Sequence, residues 1–333
     1  MLRIHFTSDD LARTRFAAGP DPMWELNISL HRLQRRDASV LFGPWRRRVA
    51  PGLPAGTRLL TTLSPARGYT CDFLTPQTGA DLRTQTAALR AAPRHRLRTD
   101  LETFVRLHRD LRLPSWTAEL AAGSAQVLGR IADTAHAYFG AGLQPYWRTI
   151  DDEVCHDVAL RTRALVRDGW SAVLTTLHAS ARWSYPVLTL DFPVDQDLRL
   201  DGRGLLLQPS FFCRYRPTVL FDPVLEPVLV YPIEHRPGWE HLAPAAVPAG
   251  HPALTALLGR ARAQLLEAAA DGTFTTTELA RHTGLTPSNA SRHLTALRHA
   301  ALVSSRRHRN TTLHAVTALG AALLSGRQPL LPA

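Results

Sequence analysis

Apolar and polar residues alternate or recur along the chain in ways that predict both strands and helices. Residues 2–6 alternate apolar with polar side chains, which predicts a short strand. Residues 7–10 offer hydroxyl and carboxylate caps for a helix that follows, and a second helix is predicted over about 22–36. Residues 79–183 have apolar positions at helical spacing. Breaks in that helical stretch are predicted near Pro93, Pro114, Gly123, Gly142 and Gly169.

After residue 183 the spacing of apolar residues changes from that of helices to that of strands. Four segments are predicted as strands, with a hairpin turn at Asp201-Gly202: 187–190, 197–200, 204–212 and 228–233. Residues 1–240 therefore predict an α+β domain that is mostly helical and contains a small antiparallel sheet. Proline and glycine in residues 241–252 predict a linker. A second domain is predicted over 253–325, followed by a tail at 326–333.

Residues 254–283 predict two helices with a short turn after the second. Apolar spacing gives one helix over 254–270, and Thr275 begins another that ends before Gly284. Thr286 then has the chemistry of an N-cap, and Pro287 suits the first position of a third helix that runs to about residue 300. Two short helices joined by a turn that contains glycine predict a helix-turn-helix.

The third helix has one apolar face and one face of hydrogen-bond donors. Ala290, Leu294 and Leu297 recur at i, i+4 and i+7 and are expected to be buried. The opposite face carries Ser288, Asn289, Ser291, Arg292, Thr295 and Arg298, with His293 and His299 beside it. Arginine can bind guanine and asparagine can bind adenine in a major groove, while hydroxyls at a helix N-terminus suit phosphate. The alternative is a polar helix face that only contacts solvent.

A β-hairpin is predicted directly after this helix. Residues 302–307 and 312–316 have strand patterns, and a last helix is expected over 317–324. Basic and amide side chains at a hairpin in this place are typical of a wing that contacts the DNA backbone or minor groove. The residues expected to do so are Arg306, Arg307, His308, Arg309 and Asn310.

Charge is concentrated in the same region. The chain has a formal charge of +11, and all 39 basic residues counted as Lys or Arg are arginine. Residues 253–333 contain nine arginines and three acids, and no acid follows Glu278. Such an excess on one short domain indicates a polyanion as partner. A solvated basic face is the alternative.

Composition and motifs narrow the class of protein. Three widely spaced cysteines (Cys71, Cys155 and Cys213) argue against a disulfide framework and favour a reducing compartment. Neither a secretory signal nor a membrane span is predicted, which leads us to expect a cytoplasmic protein. No catalytic motif supports an enzyme. Asp152 and His156 are one turn apart, but no third ligand is suitably spaced, so neither a metal nor a cofactor is expected.

The C-terminal pattern resembles the winged helix-turn-helix of ArsR-type transcriptional regulators. The resemblance covers roughly residues 253–325 and depends on Glu278-Leu279-Ala280, Gly284-Leu285-Thr286, Ser291-Arg292-His293-Leu294 and Leu302-Val303. The N-terminal residues 2–6 and 16–26 are similar to long actinobacterial ArsR-like regulators. The resemblance implies a dimer that places two recognition helices in successive major grooves of a partly palindromic site.

Two departures from the family pattern stand out. Family members usually have glycine where this chain has Ala301, so the turn after the recognition helix is expected to differ slightly. Metal-sensing members carry paired cysteines near the first helix of the motif, or His/Asp clusters on the last helix. This chain has Thr275-Thr276-Thr277 at the first place and only His314 near the second. Metal sensing through this domain is therefore not expected.

The sequence thus predicts a homodimeric, sequence-specific regulator of transcription, most simply a repressor associated with the nucleoid. Asn289 and Arg292 are expected to bind bases. The side chains expected to position the recognition helix on double-stranded DNA are Thr286, Ser288, Ser291, His293 and Arg298. The N-terminal domain would serve dimerisation or bind a small-molecule effector. Two alternatives are an enzyme in the first 240 residues around Asp152 and His156, with accessory DNA binding, and an architectural protein that coats DNA.

Overall fold

The computed structural model describes residues 1–78, 81–235, 239, 252–270, 274–308 and 311–325. They form two compact units, Met1–Ala243 and Pro244–Ala333, each with an apolar core of its own. No helix within these ranges is long and apolar enough to cross a membrane. The predicted tail lies outside the described residues, and so does the predicted linker except for Pro252, which begins a helix.

The first unit mixes helices with short strands. In chain order its elements are β1 (Leu2–His5), α1 (Ser8–Arg13), β2 (Arg15–Phe16), α2 (Pro22–Gln34), α3 (Ser39–Val49), α4 (Thr57–Leu63), α5 (Leu82–Arg90), α6 (Arg94–Leu107), α7 (Trp116–Ala121), α8 (Ala125–Gly142), α9 (Trp147–Thr176), β3 (Arg182–Ser184), β4 (Val187–Leu190), β5 (Gln196–Arg199), β6 (Leu206–Ser210), β7 (Thr218–Val219) and β8 (Val228–Pro232). Helices α6, α7 and α8 begin just after Pro93, Pro114 and Gly123, as predicted, and α8 ends at Gly142. Gly169, with φ of 74°, interrupts α9.

The strands form two mixed sheets, ordered β3-β4-β1-β5 and β2-β6-β8-β7. Strand β1 is antiparallel to β4 but parallel to β5. Strand β6 is parallel to both β2 and β8. The α+β class is confirmed, but the expectation of one small antiparallel sheet is wrong.

The predicted hairpin at Asp201-Gly202 is also wrong. Both residues have positive φ angles, 51° and 80°, as a tight turn requires. The strands on either side nevertheless belong to different sheets, because β5 pairs with β1, which lies at the start of the chain. The turn depends on the two residues that form it, whereas the partner of each strand depends on residues far away in the chain.

Buried carboxylates tie the helices of this unit to its strands. Thr7 and Asp10 form a capping box at the start of α1, and the Asp10 carboxylate also accepts a hydrogen bond from the Gly204 backbone N–H at 2.9 Å. Glu25, on α2, lies fully buried at the end of β6. These contacts join residues almost two hundred positions apart in the chain.

The second unit is a helical core followed by a hairpin. Its elements are α10 (Pro252–Leu258), α11 (Arg260–Ala270), β9 (Phe274–Thr275), α12 (Thr276–Thr283), α13 (Pro287–His299), β10 (Val303–His308), β11 (Thr311–Val316) and α14 (Ala318–Ser325). The single helix predicted over 254–270 is wrong, because Gly259 has φ of 80° and separates α10 from α11. Strand β9 was not predicted; it adds a third strand in the order β10-β11-β9.

Ala301 adopts the conformation that glycine favours. It has φ of 55° in the turn that leaves α13, and its N–H donates to the Arg298 carbonyl oxygen at 2.9 Å. A left-handed conformation costs an L-residue about 1–2 kcal/mol. Ala301 therefore holds this left-handed position at a cost in stability.

We expect Ala301→Gly to stabilise the second unit by about 0.5–1 kcal/mol, because the relief of strain exceeds the added entropy of the unfolded chain. The neighbouring Ala300 is a matched control, since its φ of −80° is ordinary for alanine and it too is exposed. Ala300→Gly should lower the stability instead. Urea unfolding of the full chain measures both, and a destabilising Ala301→Gly would contradict the strain argument.

Candidate nucleic-acid interface

Local capping interactions set the ends of the two helices of the motif. Thr275 and Glu278 form a capping box at the start of α12. Gly284 ends that helix with φ of 68°, and its N–H donates to the carbonyl oxygens of Ala280 and Arg281. Thr286 caps α13 by accepting a hydrogen bond from the Asn289 N–H at 3.4 Å. The helix-turn-helix that these signals predicted is confirmed.

One face of α13 is buried in the core of the second unit. Ala290, Leu294 and Leu297 are at most 1% exposed, and they share this core with Leu279 of α12. The apolar face predicted from the i, i+4, i+7 spacing is the face that packs. This packing determines which side chains of α13 are left for a partner.

The opposite face of α13 contains the predicted contact residues. His293 is half-buried, and the exposed members are Thr286, Ser288, Asn289, Ser291, Arg292 and Arg298. Arg292 Nη2 donates to Asn289 Oδ1 at 3.3 Å, and the hydroxyls of Thr286 and Ser288 are 3.3 Å apart. The face combines guanidinium, amide and hydroxyl donors at the positive end of a helix, which suits both base edges and phosphates.

The hairpin of β10 and β11, the predicted wing, carries the second group of predicted DNA-contacting residues. Arg306 and Arg307 are exposed on β10, opposite Leu313 and Thr312 of β11. His308 is the last residue of β10. Arg309 and Asn310, which were also predicted to contact DNA from the wing, fall outside the described residues. Two consecutive strand residues point to opposite faces of a hairpin, so Arg306 and Arg307 can contact different phosphates.

His314 connects the wing to the start of α12, a contact that was not predicted from the sequence. Its Nε2 lies 2.9 Å from Thr276 Oγ1 and its Nδ1 lies 2.8 Å from Ser305 Oγ. Burial, and secondarily the positive charge of Arg298, lower the pKa of His314. A neutral imidazole satisfies both hydroxyls, donating from one nitrogen and accepting at the other. The partners are 38 and 9 residues away, so no local pattern indicates them.

Two further exposed basic side chains, Arg281 and His282, lie in the last turn of α12. They were not among the predicted contact residues. Cations in the last turn of a helix are stabilised by its dipole, which is a sufficient structural reason for them. The absence of acids after Glu278 is the sequence signal that includes them in the basic region.

The residues around Asp152 and His156 on α9 form no comparable site. His156 is exposed, Asp152 is half-buried, and Asp157 is buried and bonded to the Tyr231 hydroxyl at 2.8 Å and to Arg161 Nε at 2.9 Å. Cys155 is exposed. Across the described ranges, no group of three or more His, Cys, Asp or Glu side chains is placed to hold a metal ion.

The C-terminal region of the chain matches the model of a known protein family. Residues 260–305 match the family model described as bacterial regulatory protein, arsR family. This match extends from α11 through both helices of the motif into β10. No curated protein and no solved structure matches the chain. The match identifies an ArsR-type helix-turn-helix domain over residues 260–305, which supports DNA binding in the regulation of transcription.

Proposed function

We propose that this chain is a homodimeric repressor that binds a partly palindromic operator. The observation that carries the proposal is the donor-bearing face of α13, which is exposed because the apolar face of the same helix fills the core of the unit. In this proposal α13 enters the major groove, and Arg306 and Arg307 hold the flanking backbone. The protein would act on the nucleoid in the cytoplasm and would have no enzymatic activity.

Two exposed apolar side chains support self-association. Leu257 on α10 is 69% exposed and Leu319 on α14 is 42% exposed, and neither belongs to α13 or the wing. Burying large apolar side chains between two copies is favourable by about 25 cal/mol per Å². A dimer can present two recognition helices to half-sites one helical turn apart. An effector site in the N-terminal unit stays a prediction.

Selection of bound duplexes from random-sequence DNA tests the proposal. We expect an enriched, partly palindromic motif, bound by the dimer in a gel-shift experiment. A protein that only coats DNA would enrich no motif, and that result would refute the proposal. In vitro transcription from a promoter that contains the motif tests whether the protein represses or activates, since a repressor lowers the transcript yield.

The wing arginines should contribute affinity without sequence preference. Arg306→Ala and Arg307→Ala each remove one phosphate contact, so each should make the negative slope of log affinity against log salt less steep by about 0.9. Both should weaken binding to specific and random duplexes alike. Thr312→Ala, opposite Arg307 in the hairpin, is the uncharged control and should leave the slope unchanged. Fluorescence anisotropy across a salt series measures the slope; an unchanged slope in the arginine variants would contradict the assignment.

A further inference from the structure

Asn289 and Arg292 interact with each other on the exposed face of α13. They are three residues apart, so they share a face of the helix, and both are exposed. Arg292 Nη2 donates to Asn289 Oδ1 at 3.3 Å. No carboxylate in the described ranges forms an ion pair with Arg292, and no acid follows Glu278 in the chain. The amide oxygen of Asn289 therefore holds the guanidinium without competition from a carboxylate.

The hydrogen bond from Arg292 makes the Asn289 amide unsuited to bind adenine. Bidentate recognition of adenine needs the asparagine oxygen to accept from the N6 amino group while its nitrogen donates to N7. In the structure the guanidinium of Arg292 lies beside that oxygen. An incoming adenine amino group would meet another donor there, with a positive charge on it. The sequence-based expectation that Asn289 binds adenine therefore does not follow from this geometry.

The same hydrogen bond orients the Arg292 guanidinium so that it can bind guanine. A guanidinium has five N–H donors, and the bond to Asn289 uses one of them. The remaining donors can bind guanine O6 and N7, which are both acceptors in the major groove. Because Asn289 restrains the long side chain beforehand, less conformational entropy is lost when DNA binds.

We propose that Asn289 is a positioning residue for Arg292, and that the two together select guanine over adenine at one position of each operator half-site. The proposal rests on the DNA-binding function proposed above and specifies the base that α13 selects. Arg292 makes the base contact. Asn289 acts through it by orienting the guanidinium.

A double-mutant cycle read out base by base tests this proposal. The four proteins are the full-length wild type, Asn289→Ala, Arg292→Ala and the double variant, each used in selection from random duplexes and in competition with the selected site. Both side chains are exposed, so all four proteins should show the same thermal midpoint. Thr312→Ala, which removes no donor from α13, serves as the control.

We expect the wild type to prefer guanine at one position by about 5- to 150-fold, the range of a good bidentate contact. Arg292→Ala should abolish that preference. Asn289→Ala should keep guanine as the preferred base but weaken the preference by about two- to tenfold. In the Arg292→Ala background, Asn289→Ala should cause no further change in the preference for guanine at that position, because its effect on guanine passes through the arginine.

Two results would overturn the inference while leaving the proposed function intact. One is that Asn289→Ala relaxes an adenine position and leaves the guanine position unchanged, which would make Asn289 an independent reader. The other is a motif that Arg292→Ala does not alter. If the wild type enriches no motif at all, the proposed function itself fails and the inference fails with it.

Discussion

Replacing Gly320 with alanine should destabilise the second unit by about 2–3 kcal/mol, in the range of overpacking substitutions. A Cβ atom at this position would lie 2.1 Å from the Leu302 carbonyl oxygen and 2.7 Å from Val316 Cγ2. The first contact is with backbone, so no rotamer change relieves it. The Leu302 oxygen also accepts the Thr317 N–H at 3.1 Å, and the clash would therefore strain the turn that joins α13 to the wing.

Gly140 offers a matched control for this substitution. It also lies within a helix, α8, but a Cβ there would meet nothing within 4 Å. Gly140→Ala should therefore stabilise the first unit by up to about 1 kcal/mol through helix propensity alone. Urea unfolding measures both variants, and DNA affinity should fall for Gly320→Ala only. A neutral Gly320→Ala would show that α14 packs less closely on Leu302 than the structure has it.

Glu25→Ala should destabilise the first unit by about 3–5 kcal/mol, because it leaves three buried donors without an acceptor. The carboxylate of Glu25 accepts hydrogen bonds from the Phe211 N–H at 2.7 Å, the Phe212 N–H at 3.1 Å and the Ser210 hydroxyl at 3.1 Å. These contacts fix α2 to the end of β6. Glu25→Gln retains one acceptor oxygen and should lose less stability.

The pH dependence separates the charge of Glu25 from its hydrogen bonds. Burial raises the pKa of this carboxyl to about 7, although the backbone N–H groups of Phe211 and Phe212 oppose the shift. Between pH 4.5 and 7 the folded chain holds a proton there that the unfolded chain has lost. Stability from this group is thus present below pH 4.5 and declines as pH rises through 7, by at most about 1.4 kcal/mol per pH unit.

Comparing the wild type with Glu25→Gln isolates this effect. Urea unfolding at several pH values should show the advantage of the wild type over Glu25→Gln shrinking from pH 4.5 to 7. Other titrating groups affect both proteins alike and cancel in the difference. Parallel stability curves for the two proteins would mean that the pKa of Glu25 is not raised.

The donor face of α13 was predictable because its signals are local. A capping residue, a left-handed glycine and an apolar repeat each act within one or two helical turns, as Thr275, Gly284 and Leu294 show. The side chains left on the other face follow from the same periodicity. Strand β9 escaped prediction because two residues are too few to show an alternation.

The sequence by itself determined the ends of α12 and α13, the buried and exposed faces of α13 and the basic character of that region. Only the tertiary structure decided that β5 pairs with β1, that His314 joins Thr276 to Ser305 and that Glu25 caps the end of β6. The physical reason is the distance along the chain over which each kind of interaction acts. Caps and periodicity depend on neighbours within a few residues, whereas strand pairing and buried hydrogen bonds depend on which distant surfaces exclude water together.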